Sequence, residues 1–392
     1  MTTESVTADA CQYIVEPPGL WQERVSAKHR EKAPKVVAMP DGGEGWAFEG
    51  GAWLRPLGLQ AAAGLATVRD HGYSYSSIAP GAADAGERLK AMDADGVDIA
   101  SVFPTYGLEV RSIEDPELHV ACIEAYNDGV LEWVQSGDVG RLIPQALIPA
   151  TGLDAAMAEL KRVAKMGFKG IVFPGWPKGG DIPDMEEDSF WSACTEAGLV
   201  VNLVRGGQTG ADRTPTAPSR YIGPNGSRAR ASDLPPEQII LQGVIANPTV
   251  LHFMAGAGVL DHNPDLKVVQ IDNGAGWLAC AWEGMDWQHR YSQYMKIWPR
   301  LKRRPSDYIQ AQVKATVKNE KSAIEARQDI GVHALMWASS YPARTSTWPR
   351  SQTVIVDLLQ GIPDAEKRKI LGENFLELYG LSAPRRMASV KS

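Results

Sequence analysis

No run of apolar residues in the 392-residue chain approaches the ~18 that a membrane-spanning helix needs. An excess of cationic charge is also missing. Lys and Arg number 40 against 47 Asp and Glu, a net charge of −7, which argues against nucleic acid as the main partner. Cysteine is scarce and scattered: Cys11, Cys122, Cys194 and Cys280 show no C-x-x-C spacing. Neither a zinc knuckle nor a disulfide framework is indicated, and a reducing cytoplasm is the expected compartment. The first basic residue is Arg24, so no secretory leader with a positive start is expected. Histidine is sparse too. His29, His71, His119, His252, His262, His289 and His333 form no His-x-His pair and no His-x-x-x-His pair on one helix.

What is present is apolar material sufficient for a large core, 44% of residues, organised as β-rich runs followed by helical patterns. No fixed-period repeat occurs. Eight runs read as strands: Ala10–Ile14, Val97–Thr105, Leu142–Pro149, Gly170–Trp176, Leu199–Val204, Lys267–Asp272, Val313–Val317 and Ala334–Ser339. The short continuous apolar runs among them suit strands covered on both faces. Leu153–Met166 carries the clearest helical stripe (Leu153, Ala156, Met157, Leu160, Val163, Ala164), stopped by Gly167. Glu186–Ala197 before Gly198 reads the same way. Eight βα units predict an α/β fold, a single (β/α)8 TIM barrel over 1–392 with its core at about 9–380. No G-x-G-x-x-G follows the first strand, which disfavours a doubly wound sheet. Gly42-Gly43-Glu44-Gly45 follows no strand and reads as a loop. Two lid-like insertions break the alternation, 26–56 after the first strand and 206–236 after the fifth. Loops this long usually cover a site or are disordered.

In a barrel, chemistry is read at the strand C-termini. Here those positions hold Cys11, Tyr13, Thr105, Tyr106, Trp176, Val204, Arg205, Asp272, Asn273, Ser339 and Ser340. One carboxylate and no histidine among them is not a family of ligands for an activated-water metal site.

These strand ends and their flanks resemble the amidohydrolase-related family, TIM-barrel metal-dependent hydrolases and decarboxylases that include aminocarboxymuconate-semialdehyde decarboxylase. The markers are Glu16-Pro17-Pro18-Gly19-Leu20-Trp21, Met92-Asp93-Ala94-Asp95-Gly96-Val97-Asp98, Ala125-Tyr126-Asn127-Asp128, Arg141-Leu142-Ile143-Pro144 and Pro264-Asp265-Leu266-Lys267-Val268-Val269. The most specific is Ser339-Ser340-Tyr341-Pro342-Ala343 running on to Trp348-Pro349. The resemblance implies metal ligands on the first, fifth and eighth strands. This chain carries Cys11 and Tyr13, Val204, and Ser340 at those places.

The resulting expectation is an enzyme without a catalytic metal or other cofactor. It would perform lyase-type acid–base chemistry (decarboxylation, dehydration or hydration, C–C cleavage, cyclisation) on a small aromatic or polycyclic acid. Asp272 is the expected base, Tyr13 and Ser340 the hydrogen-bond donors, and Cys11 a nucleophile or acid. Arg205, Trp176, Asn202, Asn273, Arg344, His252 and His71 are the expected substrate-binding residues. Two alternatives stand beside it: a silent binding or regulatory barrel, and a metal enzyme with displaced ligands such as Cys11, His252 and Asp272. The expected partners are a small-molecule substrate and a second copy in a homodimer, to which the aromatic Asp286–Pro299 segment contributes, with neither nucleic acid nor membrane.

Overall fold

A computed structural model describes residues 6–40, 42–66, 69, 71–180, 182–204, 248–295 and 301–384. All eight expected strands are present: β1 (Ala8–Ile14), then, after an inserted trio, β5 (Ile99–Pro104), β6 (Leu142–Pro144), β7 (Gly170–Val172), β8 (Val200–Val204), β9 (Val268–Ile271), β10 (Val313–Val317) and β11 (Leu335–Trp337). They pair in parallel and in sequence order, as β1-β5-β6 and as β7-β8-β9-β10-β11. The bridge Ala146↔Ile171 joins the two sheets at one seam. At the other, Ser340 N–H donates to Cys11 C=O at 2.9 Å and Tyr13 N–H to Tyr341 C=O at 2.6 Å. This is the (β/α)8 order, and the strands are buried along nearly their whole length, as double-sided cover requires.

The helix Leu153–Met166 starts and stops where its stripe predicts, with Gly167 at φ 91° taking the left-handed cap. The segment before Gly198 opens as a 3-10 turn, Met185–Glu187, and continues as the helix Asp188–Glu196. Between the strands, one interior polar layer is closed on itself. Asn202 Nδ2 donates to Gln145 Oε1 (2.8 Å), Gln145 Nε2 to Ser101 Oγ (2.8 Å), Ser101 Oγ to the Tyr379 hydroxyl (3.3 Å), and that hydroxyl to Asn202 Oδ1 (3.3 Å). Gly170 leaves room for it: a Cβ there would stand 2.3 Å from Gln145 Oε1.

The insertion 26–56 is not a loop. It folds as an antiparallel sheet of β2 (Lys35–Ala38), β3 (Glu44–Phe48) and β4 (Trp53–Pro56). Gly42 and Gly43, read as loop residues, lie in the turn from β2 to β3 with φ of 90° and 76°. The sheet is pinned by Trp46, fully buried, whose ring meets Trp21 edge-on at 4.8 Å. The Tyr106 hydroxyl, just beyond β5, donates to Pro56 C=O at 3.0 Å. Arg205 and the 206–236 insertion lie outside the described residues. No helix among the described residues is long and apolar enough to cross a membrane.

Candidate active site

Three elements end together at one seam. β9 delivers Asp272, β10 delivers Lys318, and the turn after β11 delivers Ser340, while Tyr13 approaches from β1. Ser340 Oγ donates to Asp272 Oδ1 at 2.7 Å, Lys318 Nζ lies 3.0 Å from the same oxygen, and the Tyr13 hydroxyl donates to Oδ2 at 3.3 Å. Among the described residues, Oδ1 is therefore held by two donors and Oδ2 by one longer contact, which leaves Oδ2 the freer oxygen. Asp272 N–H donates to Thr316 Oγ1 at 2.8 Å, which anchors the carboxylate's own backbone to β10.

The backbone here is unusual. Among the described residues three non-glycines have positive φ, Glu49, Asp272 (54°) and Ser340 (62°), and the last two face each other across this hydrogen bond. The left-handed conformation costs about 1–3 kcal/mol per residue and persists where surrounding structure enforces it, most often at functional sites. Two residues on, Gly274 (φ 65°) lets the loop close on its neighbour: a Cβ there would stand 2.9 Å from Glu320 Oε1.

Cys11 is fully buried and within hydrogen-bonding reach of the Tyr13 hydroxyl. Burial, then the Asp272 charge, pushes both the Cys11 thiol and the Tyr13 phenol well above their ordinary ranges. Both are therefore neutral near pH 7, and Tyr13 is a donor. Burial also pushes Cys122 up to about 12 and Cys194 upward, whereas Cys280 is exposed. Iodoacetamide is accordingly expected to modify one thiol per native chain, at Cys280, and peptide mass mapping checks it; rapid labelling of Cys11 would contradict its burial.

Behind the site, Asp9 ties β1 to β11. It accepts from Ser339 N–H (2.8 Å), Cys11 N–H (3.1 Å) and Gln12 Nε2 (2.8 Å), and from the Ser339 hydroxyl. Burial outweighs these donors and raises its carboxyl from 3.8 to about 6. Glu16, which accepts from the backbone N–H groups of Thr105, Tyr106 and Gly107, is raised by burial from 4.5 to about 7. Each group keeps its proton to higher pH in the folded chain than in the unfolded chain. Their contribution to stability is full below about pH 4 and is lost as pH rises through about 6–7. Urea unfolding is expected to show the free energy falling across that window, and Asp9→Asn to flatten the part of the fall centred near its folded value.

The structure thus brings Asp272, Tyr13, Ser340 and Cys11 together and adds Lys318, which the strand-end reading passed over although it follows Val317 directly. The expected binding residues are scattered. Asn202 belongs to the interior layer, in register with Val269 and so below Asp272. Trp176 is buried in an aromatic cluster, 5.2 Å from Phe173, 6.2 Å from Trp191 and 6.3 Å from Phe253 between ring centroids. His252 is exposed and its Nδ1 meets Pro248 C=O on its own helix. Arg344 is exposed, and His71 is half-buried in the loop after β4. Asn273 is half-buried beside Asp272, and its Nδ2 is buried without a hydrogen-bond partner among the described residues.

The amidohydrolase family model matches residues 73–381. The chain belongs to the amidohydrolase family. No curated protein matches it. Among solved structures it is similar to an amidohydrolase from Mycobacterium avium subsp. paratuberculosis K-10, with 17% identity, a TM-score of 0.76 and coverage of 98% of this chain and 100% of the other. It is also similar to 5-carboxyvanillate decarboxylase from Sphingomonas paucimobilis (19%, 0.67, 97% and 100%). A third is a dihydroxybenzoic acid decarboxylase from Polaromonas sp. JS666, with bound manganese and the inhibitor 2-nitroresorcinol (15%, 0.63, 96% and 97%). Identity at this level establishes the shared fold.

The manganese in the Polaromonas enzyme corrects the expectation of a cofactor-free site: a metal cofactor is what this fold points to. The described residues do not fit one unaided. Among them, no three His, Cys, Asp or Glu side chains converge, so Cys11, His252 and Asp272 are not a displaced ligand set. Asp272, the carboxylate of the cluster, already carries an ammonium at 3.0 Å, and the thiol beside it is held protonated.

Proposed function

We propose that the chain is a lyase that decarboxylates a small aromatic acid, with Asp272 as its proton-transfer group. The observation that carries this reading is the Asp272–Ser340 pair, two non-glycine residues held at positive φ so that a hydroxyl fixes one carboxylate oxygen at a barrel strand end. Decarboxylases of 5-carboxyvanillate and dihydroxybenzoic acid on the same fold support the reaction class.

The chemistry needs one proton. It adds to the ring carbon that bears the carboxylate, the C–C bond then breaks, its electron pair returns to the ring, and CO2 leaves. Asp272, a carboxylate at rest, takes that proton from solvent onto Oδ2, the freer oxygen, and passes it to the ring carbon. Tyr13, neutral by burial and by the adjacent charge, keeps its hydrogen and donates either to Oδ2 or to a substrate oxygen. Ser340 and Lys318 hold Oδ1 so that the carboxylate does not rotate during transfer. Asn273 Nδ2, a buried donor without a partner among the described residues, supports a substrate oxygen nearby. Cys11 stays a thiol and takes no nucleophilic part. The second copy in a homodimer and a cytoplasmic setting remain part of the proposal.

The test is release of CO2 from a panel of hydroxylated benzoates, beginning with 2,6-dihydroxybenzoate and 5-carboxyvanillate. Release that depends on Asp272 supports the reading. Binding of these acids with no turnover of any would favour the silent-barrel alternative instead.

A further inference from the structure

We propose that Lys318 is the residue that anchors the substrate's carboxylate, an inference that rests on the aromatic-acid reading above and names the group that selects the acid. Its ammonium stands at the site, 3.0 Å from Asp272 Oδ1 and 3.4 Å from Thr345 Oγ1, with the side chain only 15% exposed. An ammonium has three N–H donors, and these two acceptors, the ones that the described residues supply, leave the third for a ligand.

The charge balance points the same way. Asp272 brings one negative charge to the cluster and Lys318 one positive charge. Burial keeps Tyr13 and Cys11 neutral, so neither adds a charge to the cluster. Without Lys318, an incoming carboxylate would meet Asp272 with no other cation among the described residues against it. Arg344 is exposed and Arg205 lies outside the described residues, so Lys318 is the cation that the described residues place against the reacting group. Its position is not a surface accident. Lys318 N–H and Asn319 N–H both donate to Glu320 Oε2 (2.6 and 3.1 Å), and the Glu320 side chain packs against Gly274 in the loop that carries Asp272.

An anchor of this kind acts on the bound ground state. It should move Kd and KM more than kcat, whereas a lysine that only braced the loop would weaken all ligands alike. The experiment compares binding of 2,6-dihydroxybenzoate and its uncharged analogue 2,6-dihydroxybenzamide to the wild-type chain and to Lys318→Met, by calorimetry with and without chelator. Wild type should prefer the acid by about 10- to 100-fold, the range of a charge-assisted hydrogen bond. Lys318→Met should lose that preference with the amide's Kd unchanged, and Lys318→Arg should keep most of it. Asp272→Asn/Lys318→Gln, a neutral pair of similar size, guards against a fold defect and should lose the preference too. Equal weakening of acid and amide in Lys318→Met, or a preference that survives there and vanishes only with chelator, would overturn the assignment of the anchor alone. Binding of neither ligand by the wild type would overturn the aromatic-acid reading, and the anchor with it.

Discussion

Asp272→Asn is expected to lower CO2 release from an aromatic acid by about 10²–10⁴-fold, the range a positioned acid or base contributes. The amide still accepts from Ser340 at Oδ1, so the geometry of the loop survives, but it cannot carry a proton between solvent and ring. Binding should move the other way. Asp272 is the negative charge nearest the proposed carboxylate site, and Lys318 divides its ammonium between the two. Removing that charge leaves Lys318 free for the ligand, so Kd for the acid should stay level or tighten while kcat collapses. Steady-state rates together with calorimetry measure both halves. A variant with weakened binding and near-normal kcat would make Asp272 a binding residue and remove it from proton transfer.

The second large effect is on stability, at Arg88. This side chain is fully buried, and its guanidinium donates to Gly81 C=O (2.6 Å), Tyr13 C=O (2.7 Å), Gln12 Oε1 (3.1 Å) and Ala82 C=O (3.3 Å). It lies over the Tyr341 ring at 4.8 Å and the Trp133 ring at 5.5 Å. Burial lowers it from 12.5 to about 10, so it is still a cation near pH 7. Through Tyr13 and Tyr341 it underlies both sides of the active-site seam. Arg88→Met preserves much of the volume but removes this donor from Gly81 C=O, Tyr13 C=O and Gln12 Oε1 in a buried setting, while Ala82 C=O keeps Val15 N–H at 2.9 Å. A loss of about 3–5 kcal/mol is expected, the usual cost of breaking a buried charged network from one side. Arg88→Lys should recover only part, because an ammonium cannot reproduce the planar fork. Urea unfolding of the three proteins measures this, and a change within about 1 kcal/mol for Arg88→Met would show that the carbonyls find other partners.

The barrel was legible because its strands write a simple signal. Val200–Val204 and Val268–Ile271 are apolar runs broken only by Asn202 and Gln270, and covered parallel strands need no strict alternation. Val313–Val317 is read to the residue. The insertion 26–56 was not legible in the same way. Its strands are four and five residues long, one contains a Gly and another a Pro, and the sheet is pinned by Trp46 against Trp21, a contact between residues 25 positions apart in sequence.

At the site, Asp272, Ser340, Tyr13 and Cys11 could be named because strand ends converge in a barrel. Lys318 obeys the same rule and was missed because a lysine after a strand looks like a solvated turn residue; only the fold shows its ammonium turned back onto Asp272. Trp176 went the opposite way: an indole at a strand end suggested a substrate platform, and packing against Phe173 and Trp191 buries it. The changed ligand positions were legible as substitutions, but the inference from them to a cofactor-free enzyme was not secure, because manganese in a protein of the same fold points to a metal cofactor.

The central claim is that this seam protonates an aromatic ring carbon as its carboxylate leaves. Turnover of 2,6-dihydroxybenzoate in D2O, followed by NMR, tests it most directly. The account predicts resorcinol carrying a single deuterium at the carbon that held the carboxylate, formed by the wild-type chain and not by Asp272→Asn. The same product formed at undiminished rate by Asp272→Asn would contradict it.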